Sequence, residues 1–448
     1  MPLGKSRFCA EEVPPSKVIS RLADHILVDG FHIVVDLERS HGTYMVDART
    51  GKKYLDLYTY YSTLPIGHNH PKMKDKEFLR ELQAAALENP ANSDVYTESY
   101  ASFVEIFAKH MKPRFMRYLF FISGGALAVE NALKAAMDWK VRKNFARGEK
   151  RELGSQVIHF REAFHGRSGY TLSLTNTSEI KVKYFAKFKW PRIINPKLSF
   201  PITSEVLKEV EKKEKLAISQ INEAIKNNGK DIACLIIEPI QGEGGDNYFR
   251  SEFLQKLEEI CKKNDIMFVL DEVQTGFGTT GKKWAFEHFD IKPDIIAFGK
   301  KAQICGIMAG KRIDEIEENV FHVSSRINST WGGSLADMVR CKRYIEIIME
   351  EKLIDNAAKM GDYFLKRLWE LASEHDEITN VRGKGCFLAF DLPDEKYRDR
   401  FRRKCWKNGL AVLASGQKTI RLRPPLTIAK EEIDEAIEKF ERAFKKMR

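Results

Sequence analysis

The amino-acid sequence predicts an α/β fold with a mostly parallel sheet covered by helices. Short apolar, β-rich runs alternate with helical segments through the middle of the chain, and each apolar run ends in a polar or glycine-containing segment. Ligands of open α/β sheets bind beyond the carboxyl ends of the strands. We therefore expect the functional residues in the segments that follow these runs.

The individual elements are predicted in chain order from the apolar patterning. A β-rich run at residues 118–122 is broken by Ser123-Gly124-Gly125, and small and apolar residues then recur at helical spacing to about residue 143. Residues 176–201 show no clear period and receive no assignment. Further buried strands are predicted at 156–160, 232–237, 266–270 and 295–298, and helices at 206–227, 251–264 and 334–351.

The C-terminal part of the chain predicts a smaller second domain. It contains helices and short strands near residues 386–392 and 419–423. We expect an N-terminal segment (1–65) that joins the small domain, a large domain (66–335) and a C-terminal small domain (336–448).

Composition excludes several classes of protein. The 448 residues are 43% hydrophobic with a mean hydropathy of -0.39, which is enough apolar material to build a core and excludes collagen-like and disordered chains. No apolar run approaches the roughly 18 residues of a membrane span. Residues 1–17 carry acidic residues and prolines where a signal peptide needs an apolar core, so we expect a cytoplasmic protein.

Charge and cysteine content bear on possible partners. The net charge of +11 suggests nucleic-acid binding, but acidic residues are interspersed almost everywhere, and the densest basic run, 400–407, lies in a predicted surface helix. A solvated charged surface is therefore favoured. Seven scattered cysteines without a Cys-x-x-Cys pair argue against a disulfide framework or a zinc site.

Three short motifs follow predicted strands and carry chemical meaning. Ser123-Gly124-Gly125-Ala126 precedes a helix and either binds a phosphate through its backbone amides or forms an ordinary turn. Asp271 is either a helix N-cap or a carboxylate that holds a protonated ring nitrogen. Lys300 is either a solvated surface charge or an amine that forms a Schiff base. Together the three motifs match the needs of pyridoxal 5'-phosphate.

Longer motifs occur in a fixed order along the chain. They are Gly124-Gly125-Ala126-x-Ala128-x-Glu130-Asn131-Ala132, Phe164-His165-Gly166-Arg167, Glu238-Pro239-Ile240-Gln241-Gly242-Glu243-Gly244-Gly245, Asp271-Glu272-Val273-Gln274 and Gly299-Lys300. From Asp36 to the C-terminus the chain resembles the class III (omega) aminotransferases of fold type I. The resemblance implies a homodimeric enzyme that uses pyridoxal phosphate, with a large cofactor-binding domain and a smaller α+β domain formed by the chain ends.

Several segments are most similar to the members of that family that act on the ε-amine of L-lysine. They are residues 89–96, 124–134, 163–176, 298–301 and 328–333. Trp331 stands where most relatives carry phenylalanine, and Tyr60 and Tyr61 stand where many have a Ser-Gly pair. The implied reaction transfers the ε-amino group of L-lysine to 2-oxoglutarate in a ping-pong sequence. Its products are glutamate and 2-aminoadipate 6-semialdehyde.

The resemblance also implies roles at the cofactor. Lys300 holds the cofactor on its ε-amine and moves the proton during transfer, whereas Lys301 points to the opposite side if the chain is extended there. Asp271 pairs with the pyridine nitrogen and keeps it protonated. For the other contacts, Gln274 touches the ring oxygen, Phe164 stacks on the ring, Gly125 and Ala126 donate amides to the phosphate, and Thr330 reaches the phosphate from the partner subunit.

Two arginines are implied in substrate binding, because arginine grips a carboxylate through two parallel hydrogen bonds. Arg167 is placed on the α-carboxylate of lysine and on the distal carboxylate of 2-oxoglutarate. Arg421, masked by Glu243 while lysine is bound, takes the other carboxylate of 2-oxoglutarate. The alternative is a merely structural ion pair between Glu243 and Arg421. Asn328 is placed near the substrate, and His165 is expected to be packed and hydrogen-bonded rather than to transfer protons.

Other functions stay open at this point. A donor such as ornithine, 4-aminobutyrate or a diamine uses the same cofactor residues, although a diamine leaves Arg167 without a carboxylate. An amino-acid racemase of the same fold shares the cofactor residues and needs no 2-oxoglutarate. A nucleic-acid-binding protein accounts for the charge but not for the alignment of the lysine, aspartate and glycine motifs.

Overall fold

The computed structural model describes residues 12–447, whose strands form three sheets. In chain order the strands are β1 (Tyr44–Val46), β2 (Lys53–Asp56), β3 (Met116–Ile122), β4 (Gln156–Phe160), β5 (Arg192–Ile193), β6 (Ile232–Ile237), β7 (Met267–Asp271), β8 (Ile295–Phe298), β9 (Cys305–Gly310), β10 (Thr379–Lys384), β11 (Phe387–Asp391), β12 (Leu410–Ala411), β13 (Leu413–Ser415) and β14 (Thr419–Leu422).

Helices cover the sheets and connect the strands. They span Val18–Ala23, Lys76–Leu87, Glu98–His110, Gly125–Ala146, Gly169–Leu174, Ser204–Asn228, Ser251–Lys263, Leu335–Glu350, Leu353–Glu374, Glu395–Lys407 and Lys430–Lys445. The predicted helices at 206–227, 251–264 and 334–351 are confirmed. A separate turn, Thr59–Ser62, has φ angles of 43° to 68° and is left-handed.

The largest sheet has seven strands in the order β3-β9-β8-β7-β6-β4-β5. Strands β5, β4, β6, β7 and β8 pair in parallel, whereas β9 is antiparallel to both β8 and β3. The predicted α/β fold with a mostly parallel sheet is confirmed. The register pairs Ile237 with Leu270 and Asp271 with Ala297, so neighbouring strands end side by side.

The inner strands β6, β7, β8 and β9 are buried on both faces, which explains the continuous apolar runs in the sequence. All six residues of β6 are buried. In β7, Met267 and Val269 join a cluster with Trp139 of the helix Gly125–Ala146, whereas Phe268 and Leu270 join the cluster on the opposite face. This alternation follows from the two-residue period of a strand.

Two smaller sheets lie outside the central one. In the first, β2 pairs antiparallel with β1 and parallel with β12, which brings Leu55 beside Leu410. The second has the antiparallel order β10-β11-β14-β13. The strands predicted near 386–392 and 419–423 are β11 and β14.

Several details of the central sheet differ from the prediction, and β3 begins at Met116 instead of residue 118. The strand predicted at 266–270 begins at Met267 and includes Asp271. Strand β9 was not predicted because Cys305–Gly310 contains two glycines and one alanine and has weak strand propensity. Gly306 is required there, since a Cβ atom on it would lie 2.1 Å from the carbonyl oxygen of Phe120. The unassigned segment 176–201 contains β5 and a short 3-10 turn, Glu179–Lys181.

The sequence predicted neither a disulfide framework nor a membrane span. The six cysteines within residues 12–447 are buried and free, and Cys9 lies outside the described residues together with most of the 1–17 segment. No helix in the described range is long and apolar enough to cross a membrane.

Candidate active site

A cavity of about 290 Å3 lies where the strands of the central sheet end. Segments that follow β3, β4, β6, β7 and β8 all contribute to its wall. Of the predicted site residues, the cavity is lined by Gly125, Ala126, Phe164, Arg167, Asp271, Gln274 and Lys300, together with His165, Gly166, Glu238 and Val273.

One end of the cavity is formed by the first turn of the helix Gly125–Ala146. Its N-cap, Gly124, has a φ of 103°, and no side chain caps the helix. Gly166 packs on this turn with a φ of 120°, and a Cβ atom on it would lie 2.6 Å from the Cβ of Ala126. The uncapped amides and the positive end of the helix dipole suit an anion such as a phosphate.

Asp271 is the last residue of β7 and is only 5% exposed. Its Oδ2 atom lies 2.8 Å from Nδ1 of His165, and its Oδ1 atom accepts the N–H of Val273 at 3.0 Å. His165 is held in turn by its own N–H, which donates to Oγ1 of Thr175. Because Asp271 belongs to a strand and no helix follows it, the N-cap explanation is wrong.

Lys300 follows Gly299 and begins a 3-10 turn, Lys300–Ala302, with a φ of 53°. Burial and the nearby positive charge of Arg421 lower the pKa of its amine to about 8. The amine is therefore more readily neutral and nucleophilic than that of an ordinary surface lysine.

Lys301 does not line the cavity, but the reason differs from the predicted one. The backbone is a turn there, so the expectation of an extended chain is wrong. The Lys301 side chain is buried, and its Nζ donates to the carbonyl oxygen of Gln274 at 2.6 Å.

Glu243 and Arg421 form an ion pair next to the cavity. Nη2 of Arg421 lies 2.6 Å from Oε2 of Glu243, and Nζ of Lys181 lies 2.5 Å from the other carboxylate oxygen, Oε1. Burial raises the pKa of Glu243, but the two cations outweigh it and the pKa is lowered. The carboxylate is therefore ionised and shared between two cations.

Gln274 connects this ion pair to the cavity. Its Oε1 atom accepts from Nη2 of Arg423 at 3.1 Å and lies 3.4 Å from Nη1 of Arg421. Arg423 is itself paired with the buried Asp246. The amide oxygen of Gln274 thus faces the arginines, which leaves its Nε2 to donate to an oxygen of a ligand.

Arg167, Asn328 and Thr330 are exposed, and only Arg167 reaches the cavity. Within residues 12–447, Arg167 forms no ion pair. Asn328 and Thr330 lie on a loop that is held by Ser93, whose Oγ donates to the carbonyl oxygen of Ser329 at 3.0 Å. A single chain therefore does not bring these two residues to the other predicted site residues.

Glu238 and Arg423 were missed as site residues by the sequence analysis. Glu238 directly follows β6, and its carboxylate accepts N–H groups from Phe164 at 2.9 Å and Gly242 at 3.0 Å. Burial raises its pKa to about 7. The signal that singles out Asp271, a carboxylate at the end of a buried strand, applies equally to Glu238. Arg423 stands two residues after Arg421, and this spacing puts both on one side of an extended chain.

Comparisons with known proteins identify the family. The family described as aminotransferase class-III matches the chain over residues 27–444. The chain belongs to the class-III aminotransferases.

Relatives of this class-III aminotransferase include the L-lysine-epsilon aminotransferase of Mycobacterium tuberculosis, which is 49% identical over 425 residues that cover 94% of each chain. The L-lysine-epsilon aminotransferase of Streptomyces clavuligerus is 48% identical over 422 residues, 93% of this chain and 92% of that one. The solved structure of the lysine aminotransferase from M. tuberculosis in the internal aldimine form has a TM-score of 0.95 at 48% identity and covers 97% of this chain and 100% of that one.

Class-III aminotransferases depend on pyridoxal 5'-phosphate, so the predicted enzyme class and cofactor are confirmed. The cavity fits this group on three counts. The uncapped helix at Gly125 suits the phosphate, Asp271 offers a carboxylate oxygen for a protonated ring nitrogen, and Lys300 offers an amine with a lowered pKa.

Proposed function

We propose that this aminotransferase transfers the ε-amino group of L-lysine to 2-oxoglutarate, with glutamate and 2-aminoadipate 6-semialdehyde as products. The observation that carries the proposal is the similarity, over nearly the full length of both chains, to enzymes named for the ε-amine of lysine. Arg167 supports it, because an exposed guanidinium at the cavity can bind the α-carboxylate that lysine carries.

The roles at the cofactor are assigned to residues that line the cavity. Bound pyridoxal phosphate supplies an aldehyde for the amino group and a ring that accepts the electrons of the deprotonated carbon. Lys300 holds the cofactor through its ε-amine and carries the proton to and from the substrate carbon. Asp271, oriented by His165, keeps the pyridine nitrogen protonated. Of the other contacts, Phe164 stacks on the ring, Gln274 donates to the ring oxygen, and the amides of Gly125 and Ala126 bind the phosphate.

The ion pair of Glu243 and Arg421, here called the gate, lets one cavity accept two substrates of different length. Lysine has one carboxylate, and while Glu243 occupies Arg421 this carboxylate binds Arg167 and directs the ε-amine inward. 2-Oxoglutarate has two carboxylates, so it displaces Glu243, binds both Arg421 and Arg167, and presents its ketone. The two half-reactions then alternate at one site in a ping-pong sequence.

The proposed enzyme is a homodimer with shared active sites. Asn328 and Thr330 are exposed and lie away from the cavity of their own chain, which suits contacts to the substrate and the phosphate of a second chain. Mixing an inactive Lys300→Ala chain with an inactive Thr330→Val chain should restore activity, because one site of each hybrid dimer is then complete. Failure of the mixture to regain activity, with hybrid formation verified by mass, would reject the shared site.

The donor is tested by measuring glutamate formation from 2-oxoglutarate with L-lysine, L-ornithine, 4-aminobutyrate and 1,5-diaminopentane. We expect kcat/KM to be highest for L-lysine. Equal values for lysine and the diamine would reject the role of Arg167, and a preference for ornithine or 4-aminobutyrate would reject lysine as the donor. Conversion of L-lysine to D-lysine without 2-oxoglutarate would identify a racemase instead.

A further inference from the structure

Glu243 contacts a second cation besides Arg421. Lys181 lies on the short 3-10 turn Glu179–Lys181, in a segment of the sequence without clear periodicity. Its Nζ atom is 2.5 Å from Oε1 of Glu243 and 5.4 Å from the ring centre of Phe164. Lys181 therefore stands between the gate and the aromatic ring that lines the cofactor cavity.

The two cations bind different oxygens of the same carboxylate. Arg421 takes Oε2 and Lys181 takes Oε1, so either cation can leave without disturbing the contact of the other. The side chains of Glu243 and Lys181 are each 25% exposed, whereas that of Arg421 is 3% exposed. Glu243 and Lys181 thus have room to move as a pair toward solvent, whereas the nearly buried Arg421 has little room to move.

Release of Arg421 has an electrostatic cost. When a substrate carboxylate binds Arg421, Glu243 loses its partner and would remain as a partly buried, unpaired carboxylate beside a second negative charge. A cation that stays on Glu243 removes most of this penalty.

We propose that Lys181 is a positioning residue of the gate: it retains Glu243 when Arg421 is released, and so favours binding of the acceptor carboxylate. This inference rests on the proposed function of the gate. It assigns Lys181 to the half-reaction of 2-oxoglutarate and glutamate, and it makes the gate a set of three residues instead of two.

The test compares the holoenzyme variants Lys181→Met, Lys181→Arg and Lys183→Met with the wild-type enzyme. Methionine keeps the length of the side chain without its charge, and arginine keeps the charge. Lys183 is a matched control, since it lies two residues away, is 49% exposed and pairs only loosely with Glu179 at 3.5 Å. KM and kcat are measured for L-lysine and 2-oxoglutarate, and the absorbance change on adding glutamate alone reports the acceptor half-reaction.

Lys181→Met should raise the KM for 2-oxoglutarate by about fivefold and that for L-lysine by less than twofold, because only the acceptor needs Arg421 released. Lys181→Arg should restore the wild-type KM ratio, and Lys183→Met should leave it unchanged. An equal rise in both KM values, or no rise for 2-oxoglutarate, would overturn the inference.

The experiment distinguishes failure of the proposed donor, L-lysine, from failure of the proposed role of Lys181. If the wild-type enzyme reacts with glutamate but not with L-lysine, the proposed donor fails. The glutamate half-reaction still decides the inference, because every ω-amine donor shares it. A Lys181→Met enzyme with a wild-type affinity for glutamate would then refute the role of Lys181, and a weaker affinity that Lys181→Arg restores would support it.

Discussion

Replacing Glu243 by glutamine should impair the lysine half-reaction far more than the 2-oxoglutarate half-reaction. In the closed gate, Nη2 of Arg421 lies 2.6 Å from Oε2 of Glu243, and the arginine side chain is 3% exposed. Glutamine keeps the size and an acceptor oxygen but removes the counter-ion of a nearly buried guanidinium. Because Glu243 itself is one-quarter exposed, the loss is smaller than for a fully buried pair and comes to about 2 kcal/mol.

This free energy becomes available to any carboxylate that reaches Arg421. Lysine can then bind with its α-carboxylate on Arg421 instead of Arg167, which withdraws the ε-amine from the reacting position. A difference of about 2 kcal/mol corresponds to roughly a 30-fold change in an equilibrium constant. We expect kcat/KM for the lysine half-reaction to fall by about 10- to 30-fold. The value for 2-oxoglutarate should not fall, because its carboxylate no longer has to displace Glu243 from Arg421.

The two half-reactions are measured separately by single-turnover changes in the visible absorbance of the holoenzyme, first with L-lysine alone and then with 2-oxoglutarate. Glu179→Gln is the matched control, because Glu179 lies on the same short turn as Lys181 and its side chain is 79% exposed. Equal losses in both half-reactions of Glu243→Gln would refute the gate and support a merely structural ion pair.

Three further predictions concern Lys300 and Gly166, the glycine that packs on the first turn of the helix Gly125–Ala146. Lys300→Ala should abolish turnover and the absorbance of the covalently held cofactor, and unchanged turnover would contradict its role. Because the pKa of Lys300 is lowered to about 8 and only the neutral amine reacts, uptake of added pyridoxal phosphate by cofactor-free enzyme should accelerate as pH rises through about 8. A midpoint near 10.5 would contradict this. Gly166→Ala should lower the free energy of unfolding by about 2–4 kcal/mol, because the φ of Gly166 is 120° and an added Cβ would overlap that of Ala126. Gly30→Ala is the control and should have no such effect, since an added Cβ there has no atom within 4 Å. Equal melting temperatures for the two variants would contradict the packing argument.

The central strands were predictable because a parallel sheet buried on both faces needs uninterrupted apolar runs. Residues 232–237 are the clearest case, and all six are buried in β6. Strand β9 was not predicted because two of its six residues are glycines, which weaken strand propensity. One of them, Gly306, is needed for the close approach to Phe120 of β3. The two-residue strand β5 is too short to show any period.

The site residues that stand at the carboxyl ends of strands were predictable from the sequence. Asp271 and Lys300 stand at or just after strand ends, so the rule for ligand sites of α/β sheets selects them without a known relative. Glu243 and Arg421 lie far apart in the sequence, and only the family resemblance joined them before the structure placed their charged atoms 2.6 Å apart. The sequence did not indicate a role for Lys181. This residue lies in a segment without clear periodicity, and its proposed role depends on a contact with Glu243, which is 62 residues away in the sequence.

Transfer of the ε-amine, rather than the α-amine, is the central claim, and isotopic labelling tests it most directly. The holoenzyme is incubated with 2-oxoglutarate and L-lysine carrying 15N at either the ε- or the α-position, and the mass of the glutamate formed is measured. We predict 15N in glutamate from ε-labelled lysine and none from α-labelled lysine. Labelled glutamate from α-labelled lysine, or no glutamate from either, would contradict the proposed function.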